Sequence, residues 1–194
     1  MSDIFSKIKN DPKYNQHNST AWFTSKVQQL YGGRITGTKM MQESKANLTS
    51  QIMPGGLYAF AYDPKHKETL PFYDKFPLVL PFHKEAGSFH GLNLHYLHPR
   101  FRILLLDKMM QFAKHNKKGE VEYLRFSWSL IGSAAKFKEV KPCVKMYLMS
   151  HVRTKFIKIP PEDWLIASQL PMGQFAKARA REVWKKSTNT INGI

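Results

Sequence analysis

The sequence predicts an α+β protein: an N-terminal helical arm, a small bent antiparallel sheet or SH3-like barrel, a buried helix after Pro99, further strands and C-terminal helices. Three observations predict it. Between Met53 and Leu97 three short runs of strand formers, Leu57 to Tyr62, Phe76 to Phe82 and Phe89 to Leu97, are separated by Pro, Gly, Asp and Lys clusters that read as turns. After Pro99 the apolar period changes from strand-like to helical, and towards the C-terminus a helical period returns with a basic face. On this basis the chain divides into a basic N-terminal arm with a helix (1–52), a central β-rich core with one buried helix (53–160), and C-terminal helices with a polar tail (161–194).

Met1 to Thr20 is polar, carries Lys7, Lys9 and Lys13, and has few large apolar residues beyond Ile4, Phe5, Ile8 and Tyr14, so it reads as a loosely ordered arm with room for one short helix. Ser19-Thr20-Ala21 gives a capping-type start to a helix in which Trp22, Phe23, Val27, Leu30 and Tyr31 recur at helical spacing. Gly32-Gly33 ends it. Arg34 to Gln51, with Arg34, Lys39 and Lys45, reads as a basic linker or a second weak helix.

In the first strand run Tyr58, Phe60 and Tyr62 fall on one face and Leu57, Ala59 and Ala61 on the other, because side chains alternate along a strand. Both faces are apolar or aromatic, so the strand is expected to be covered on both sides. Pro71, Pro77 and Pro81 cannot donate to a ladder and belong at edges, bulges or strand ends.

Pro99 suits the first turn of a helix whose apolar residues, from Phe101 to Phe112, cover most of its circumference, and Lys114, His115, Lys117 and Lys118 form its basic end. Glu120 to Leu130 alternates as a half-buried strand, and Cys143 to Met149 and Val152 to Ile159 read as two more. Pro160-Pro161-Glu162-Asp163 opens a short helix that Pro171 stops. The last helix is expected over Gln174 to Lys186, with Lys177, Arg181 and Lys185 spaced i, i+4, i+8 and joined by Arg179 and Lys186; Ser187 to Ile194 reads as a fraying tail.

Composition limits the partners. Thirty Lys and Arg against 14 Asp and Glu give a formal charge of +16 over 194 residues, with a pI near 9.9. A polyanion is the first partner to consider, since neutralising phosphates releases condensed counterions. No apolar run is long enough for a bilayer and no signal-type segment opens the chain, so a soluble protein with no membrane partner is expected. The single cysteine, Cys143, excludes an internal disulfide and a cysteine-based zinc site.

Catalytic parts are sparse. GxxxxGK[ST], GxGxxG and HExxH are all absent. His90, His95 and His98 lie close together, but a strand end and a proline intervene and no carboxylate completes a metal set, so neither metal nor cofactor is expected. Asp63 and Asp74, each after a tyrosine and near lysines, resemble part of a metal-dependent nuclease site, although the usual Asp…(Asp/Glu)-x-Lys order is missing.

Candidate nucleic-acid contacts are the cations of the last helix, Lys177, Arg179, Arg181, Lys185 and Lys186, with Arg153 and Lys155 from the strand after Val152, Lys65 and Lys67 from the turn after Tyr62, and Arg34 from the arm. Aromatics offer stacking platforms for unpaired bases, chiefly Phe72 and Tyr73, which lie in turns; Tyr58, Phe60 and Tyr62 are better read as core. The plainer reading of the helix cations is a solvated charged face on a helix packed by Trp184.

Trp22-Phe23-x-x-Lys26, Met53-Pro54-Gly55, Leu57-Tyr58-x-Phe60-x-Tyr62-Asp63-Pro64-Lys65, Leu70-Pro71-Phe72-Tyr73-Asp74-x-Phe76-Pro77-Leu78-Val79 and Gly91-Leu92-Asn93-Leu94-His95-Tyr96-Leu97 follow in order. This succession resembles the DNA end protector family of T-even-like, contractile-tailed bacteriophages, over roughly Trp22 to Leu106. The resemblance implies a virion protein, present in the host cytoplasm during assembly, that binds the end of packaged double-stranded DNA and shields it from exonuclease. Two other functions compete with it: an architectural protein of neck, tail or baseplate that binds other phage structural proteins, and a nuclease using Asp63 and Asp74.

Overall fold

A computed structural model describes residues 3–14, 19–33, 35–106 and 140–193. The strand expected over 120–130, the basic end of the helix after Pro99 and Arg34 lie outside the described residues. The first helix, α1 (Ile4–Lys9), starts where the Asp3 side chain accepts from the Ser6 N–H. It does not stand off as a loose arm: Ile4, Phe5 and Ile8 are buried in the main core. The second, α2 (Thr20–Tyr31), is capped by the Ser19 hydroxyl and ends at Gly32, whose φ of 67° is the left-handed conformation glycine adopts most easily. A short α3 (Gly37–Glu43) follows.

Six short strands form one antiparallel sheet: β1 (Leu48–Thr49), β2 (Leu57–Ala59), β4 (Leu78–Glu85), β5 (Ser88–Asn93), β6 (Val144–Leu148) and β7 (Phe156–Ile159). Their order is β1-β7-β2-β4-β5-β6. A two-stranded pair, β3 (Tyr73–Asp74) with β8 (Phe175–Ala176), lies apart from it. The sheet bends strongly. Its register shifts between Pro81 and His83, where Pro81 faces Gly91, and a Cβ on Gly91 would collide with the Val79 side chain. Among the described strands the sheet is open, with β1 and β6 at its edges, and does not close into a barrel. A single turn of 3₁₀ helix (Met149–His151) carries the chain from β6 towards β7, and Tyr62 forms an isolated antiparallel bridge with Val152.

The sheet separates two cores, one on each face. On one side Tyr58, Phe60, Tyr62, Val79, Phe89, Tyr147 and Phe156 pack together with Ile52. Phe60 meets Tyr62, Phe89, Tyr147 and Phe156 edge-on, with ring centroids 5.0–6.2 Å apart, and each such contact contributes about 0.5–1.5 kcal/mol beyond burial itself. On the other side Leu57, Ala59, Leu78, Leu80, Leu92, Ile157 and Ile159 face the helices. The strand alternation at Leu57–Tyr62 thus produces a strand covered on both faces, as its two apolar faces require.

Helical residues 99–106, here α4, turn Arg102 and Leu106 inwards and leave Phe101 and Leu104 exposed. Pro161–Asp163 forms one 3₁₀ turn leading into α5 (Trp164–Gln169).

The final helix, α6, runs Ala180–Asn192, and this corrects the expected span. Residues 174–179 are not helical because Phe175–Ala176 pairs with Tyr73–Asp74. The Glu182 carboxylate accepts from the Arg179 N–H and fixes the helix start there. The expected fraying tail is instead helical to Asn192, with Val183 and Ser187 on the buried side of the helix. Strand β7 likewise begins at Phe156 rather than Val152, which makes only an isolated bridge to Tyr62.

Candidate nucleic-acid interface

The site is built on a buried carboxylate. Asp74 on β3 accepts from the backbone N–H of Phe76 (3.1 Å) and of Gln174 (3.0 Å), from Asn93 Nδ2 (3.3 Å), and lies 2.6 Å from His95 Nδ1. Burial pushes its pKa up, but the His95 ring and these donors outweigh burial and hold it below the ordinary carboxylate value. These bonds tie the β3–β8 pair to the end of β5.

Arg102 locks the neighbouring helix. Its buried guanidinium donates to the carbonyls of Leu97, Ser168 and His95, and its carbon lies 5.8 Å from the Trp184 ring centre. Burial lowers its pKa to about 10. Trp184 Nε1 donates to the His95 carbonyl at 3.0 Å. α6 is thereby fixed across residues 94–96.

A cleft of about 450 Å³ opens between these elements. Tyr62, Phe72, Tyr73, Tyr96 and Tyr147 supply its aromatic lining, Asp74 and Asn93 contribute polar lining, and Lys65, Lys145 and Lys186 contribute the cations. Two of those cations rest on rings. Lys186 Nζ is 5.1 Å from the Phe72 ring centre, and Lys145 Nζ is 4.2 Å from that of Tyr96 while donating to the Pro142 carbonyl at 2.8 Å. Burial pushes the Lys145 pKa below the usual lysine value.

Tyr62 and Tyr73 also line a second groove of about 910 Å³, which holds Lys67, Lys75, Arg153 and the Thr36 and Thr38 side of α3. Asp63 lies in that groove, paired with Lys67 at 3.0 Å and Arg153 at 3.3 Å. Its pKa is lowered chiefly by the Lys67 hydrogen bond, against a smaller opposing effect of burial and with further help from Arg153.

The structure therefore brings together Lys65, Lys67, Phe72, Tyr73, Arg153 and Lys186 of the residues expected from the sequence. Phe72 and Tyr73 are half-buried rather than exposed. Lys177 does not share a helical stripe with Arg181 and Lys185. It precedes α6 with a left-handed φ of 64°, and its Nζ donates to the carbonyls of Lys67, Glu68 and Leu70 at 2.7, 2.8 and 3.3 Å. It ties down the loop that carries Lys65.

Arg181 and Lys185 line a separate hollow with His98, Phe101, Trp184 and Thr188. Arg179 is exposed at the start of α6, and Lys155, also exposed, lines neither groove. Sequence reasoning missed Tyr96 and Lys145; the available signal was one lysine inside the otherwise apolar strand Val144–Leu148.

Among the described residues no group of three His, Cys, Asp or Glu side chains is placed to hold a metal ion, and no helix is long and apolar enough to cross a membrane. Cys143 is buried, which raises its thiol pKa to about 12.

A model of the family described as Phage T4 terminal DNA protecting protein matches residues 1–187. No curated protein and no solved structure matches the chain. The match takes in the second groove, β3, β8, α6 as far as Ser187 and all of the cleft lining except Thr190, so the chain that builds this basic, aromatic cleft belongs to the Phage T4 terminal DNA protecting protein family.

Proposed function

We propose that this protein binds the end of linear double-stranded DNA through its phosphate backbone, without reading sequence, and shields that end from exonuclease. The observation that carries the reading is the gathering of Lys65, Lys145 and Lys186 in one groove and of Lys67, Lys75 and Arg153 in the adjoining one, in a family named for protecting terminal DNA. Lysines at a groove rim meet phosphates as point charges and carry little base information.

The reading is non-enzymatic. Asp74 is engaged by four donors and Asp63 by two cations, which supports a structural use for both acids. Its place of action is the virion, with the host cytoplasm as the site of assembly.

Exonuclease digestion of linear DNA with and without the protein tests the proposal, beside a salt titration on linear and closed-circular DNA of one sequence. Protection, with tighter binding to the linear form and a steep salt dependence, is expected. Equal binding to both forms without protection would sink the reading.

That outcome would favour a second one, contact with an acidic face of another virion protein. Met146, 55% exposed on β6, which pairs only with β5 among the described strands, supports that alternative.

A further inference from the structure

We propose that the cleft between Phe72, Tyr96 and α6 is a receptor for one unpaired nucleotide at the DNA terminus, with its base inside and its phosphate at the lysine rim. This inference rests on the end-binding reading and names the chemical form of the end.

Size comes first. At about 450 Å³ the cleft lies within the range of small-ligand pockets, roughly 300–1,000 Å³. A double helix, whose major groove alone is about 12 Å wide and about 8.5 Å deep, does not enter such a space.

Lining decides the ligand class. Phe72 and Tyr96 stand 5.9 Å apart with their planes tilted by 38°, and Tyr62 and Tyr73 complete an aromatic wall. An aromatic wall accepts any base through its π-face, which suits a terminus that is not read by sequence.

Charge sets the direction of entry. The Asp74 carboxylate already receives four hydrogen-bond donors, and its negative charge repels a phosphate. Lys65 and Lys186 are exposed, so the phosphate stays with them and the neutral base goes inwards.

The ring-bound ammonium of Lys186 marks the place the base takes. Lys186 lies over Phe72 and Lys145 over Tyr96. A base sliding onto the half-buried Phe72 ring displaces the exposed Lys186 ammonium, which then meets the incoming phosphate, while Tyr96 stays buried behind it. Lys145, whose charge burial disfavours, gains most from an anionic neighbour.

The test uses three DNAs of one sequence: a blunt duplex, the same duplex with a one-nucleotide overhang, and that overhang carrying 2-aminopurine as the unpaired base. Binding of the full chain to the overhang is expected about tenfold tighter than to the blunt end, the effect of one base stacked on one ring. The 2-aminopurine fluorescence is expected to be quenched on binding. Phe72→Leu keeps an apolar side chain of similar size, and it should reduce both the preference and the quenching. Lys158→Ala, an exposed cation on β7 outside both grooves, should change neither.

Equal affinity for blunt and overhanging ends with unquenched 2-aminopurine would overturn the nucleotide receptor while leaving end protection standing. Loss of all DNA binding and of exonuclease protection by the unaltered chain would overturn both. If Phe72→Leu lowers thermal stability, Lys186→Ala, at an exposed position, provides the same comparison. An unchanged preference there would also sink the proposal.

Discussion

Two basic surfaces border α6, and they differ in how their charges are held. On the cleft side five cations have a partner that fixes them: Lys186 lies on Phe72, Lys145 on Tyr96 and the Pro142 carbonyl, Lys177 on three loop carbonyls, and Lys67 and Arg153 on Asp63. On the outer side Arg181 and Lys185 have no ion pair among the described residues. A freely moving cation attracts any polyanion and is screened by salt within about 10 Å. A cation placed beside a ring selects for a ligand that has both a charge and a flat apolar face. The difference teaches that net charge identifies the class of partner, whereas the positioning of a few charges identifies which part of the partner is gripped.

The largest expected effect removes what holds the cleft together. Asp74→Asn exchanges an acceptor oxygen for an amide facing donors, and with several buried donors left unsatisfied at about 1–3 kcal/mol each a loss of about 3 kcal/mol or more is expected. Thermal unfolding should fall by about 10 °C, whereas Arg181→Ala with Lys185→Ala should change stability by less than about 1 kcal/mol.

The sign with pH follows from the depressed pKa of Asp74. Its contribution is present above the unfolded value near 3.8 and is lost as pH drops through the folded value. The stability gap between the wild type and Asp74→Asn should therefore be full at neutral pH and narrow below about pH 4. A gap independent of pH would remove Asp74 from its place as the charged centre of the site.

A smaller effect separates the two surfaces by their ligands. Lys145→Ala with Lys186→Ala should weaken binding to linear DNA about thirtyfold and reduce its preference over circular DNA. Arg181→Ala with Lys185→Ala should weaken both forms alike, with the slope of log affinity against log salt reduced by about 1.8 for two lost phosphate contacts. If the outer pair alone abolished end preference, the comparison would be reversed.

Releasing tethered charge acts in the other direction. Asp63→Asn frees Lys67 and Arg153 and should tighten DNA binding about threefold at low salt, an effect that fades as salt rises.

The smallest effect concerns the loop anchor. Lys177→Met loses the three carbonyl contacts and keeps the left-handed backbone, so a loss of about 1 kcal/mol is expected in urea unfolding. Lys177→Gly recovers a similar amount from backbone strain and should be close to neutral.

Much of this fold was legible because its signals are local. Ser19 and Gly32 bracket α2 as their capping chemistry requires, and the alternation of Leu57 to Tyr62 yields a strand packed on both faces. The last helix was misplaced because a helical spacing of cations says nothing about where hydrogen bonding begins. Pairing of Phe175–Ala176 with Tyr73–Asp74, about a hundred residues earlier, holds Lys177 out of α6. Residues chosen for turn position, such as Phe72 and Tyr73, reached the cleft, but Tyr96 and Lys145 were passed over as ordinary strand-region residues.

By itself the sequence determined the charge of the protein, its α+β composition, the absence of an internal disulfide, and the family succession from Trp22 to Leu106, since these depend on residue identity and short spacing. Only the tertiary structure decided that the described strands form an open sheet, that Asp74 is a buried anchor, and which lysines share a cleft with which rings. The physical reason is that a hydrogen bond such as Gln174 N–H to Asp74, or a cation over a ring such as Lys186 on Phe72, joins residues a hundred or more positions apart, and local periodicity carries no record of such a meeting.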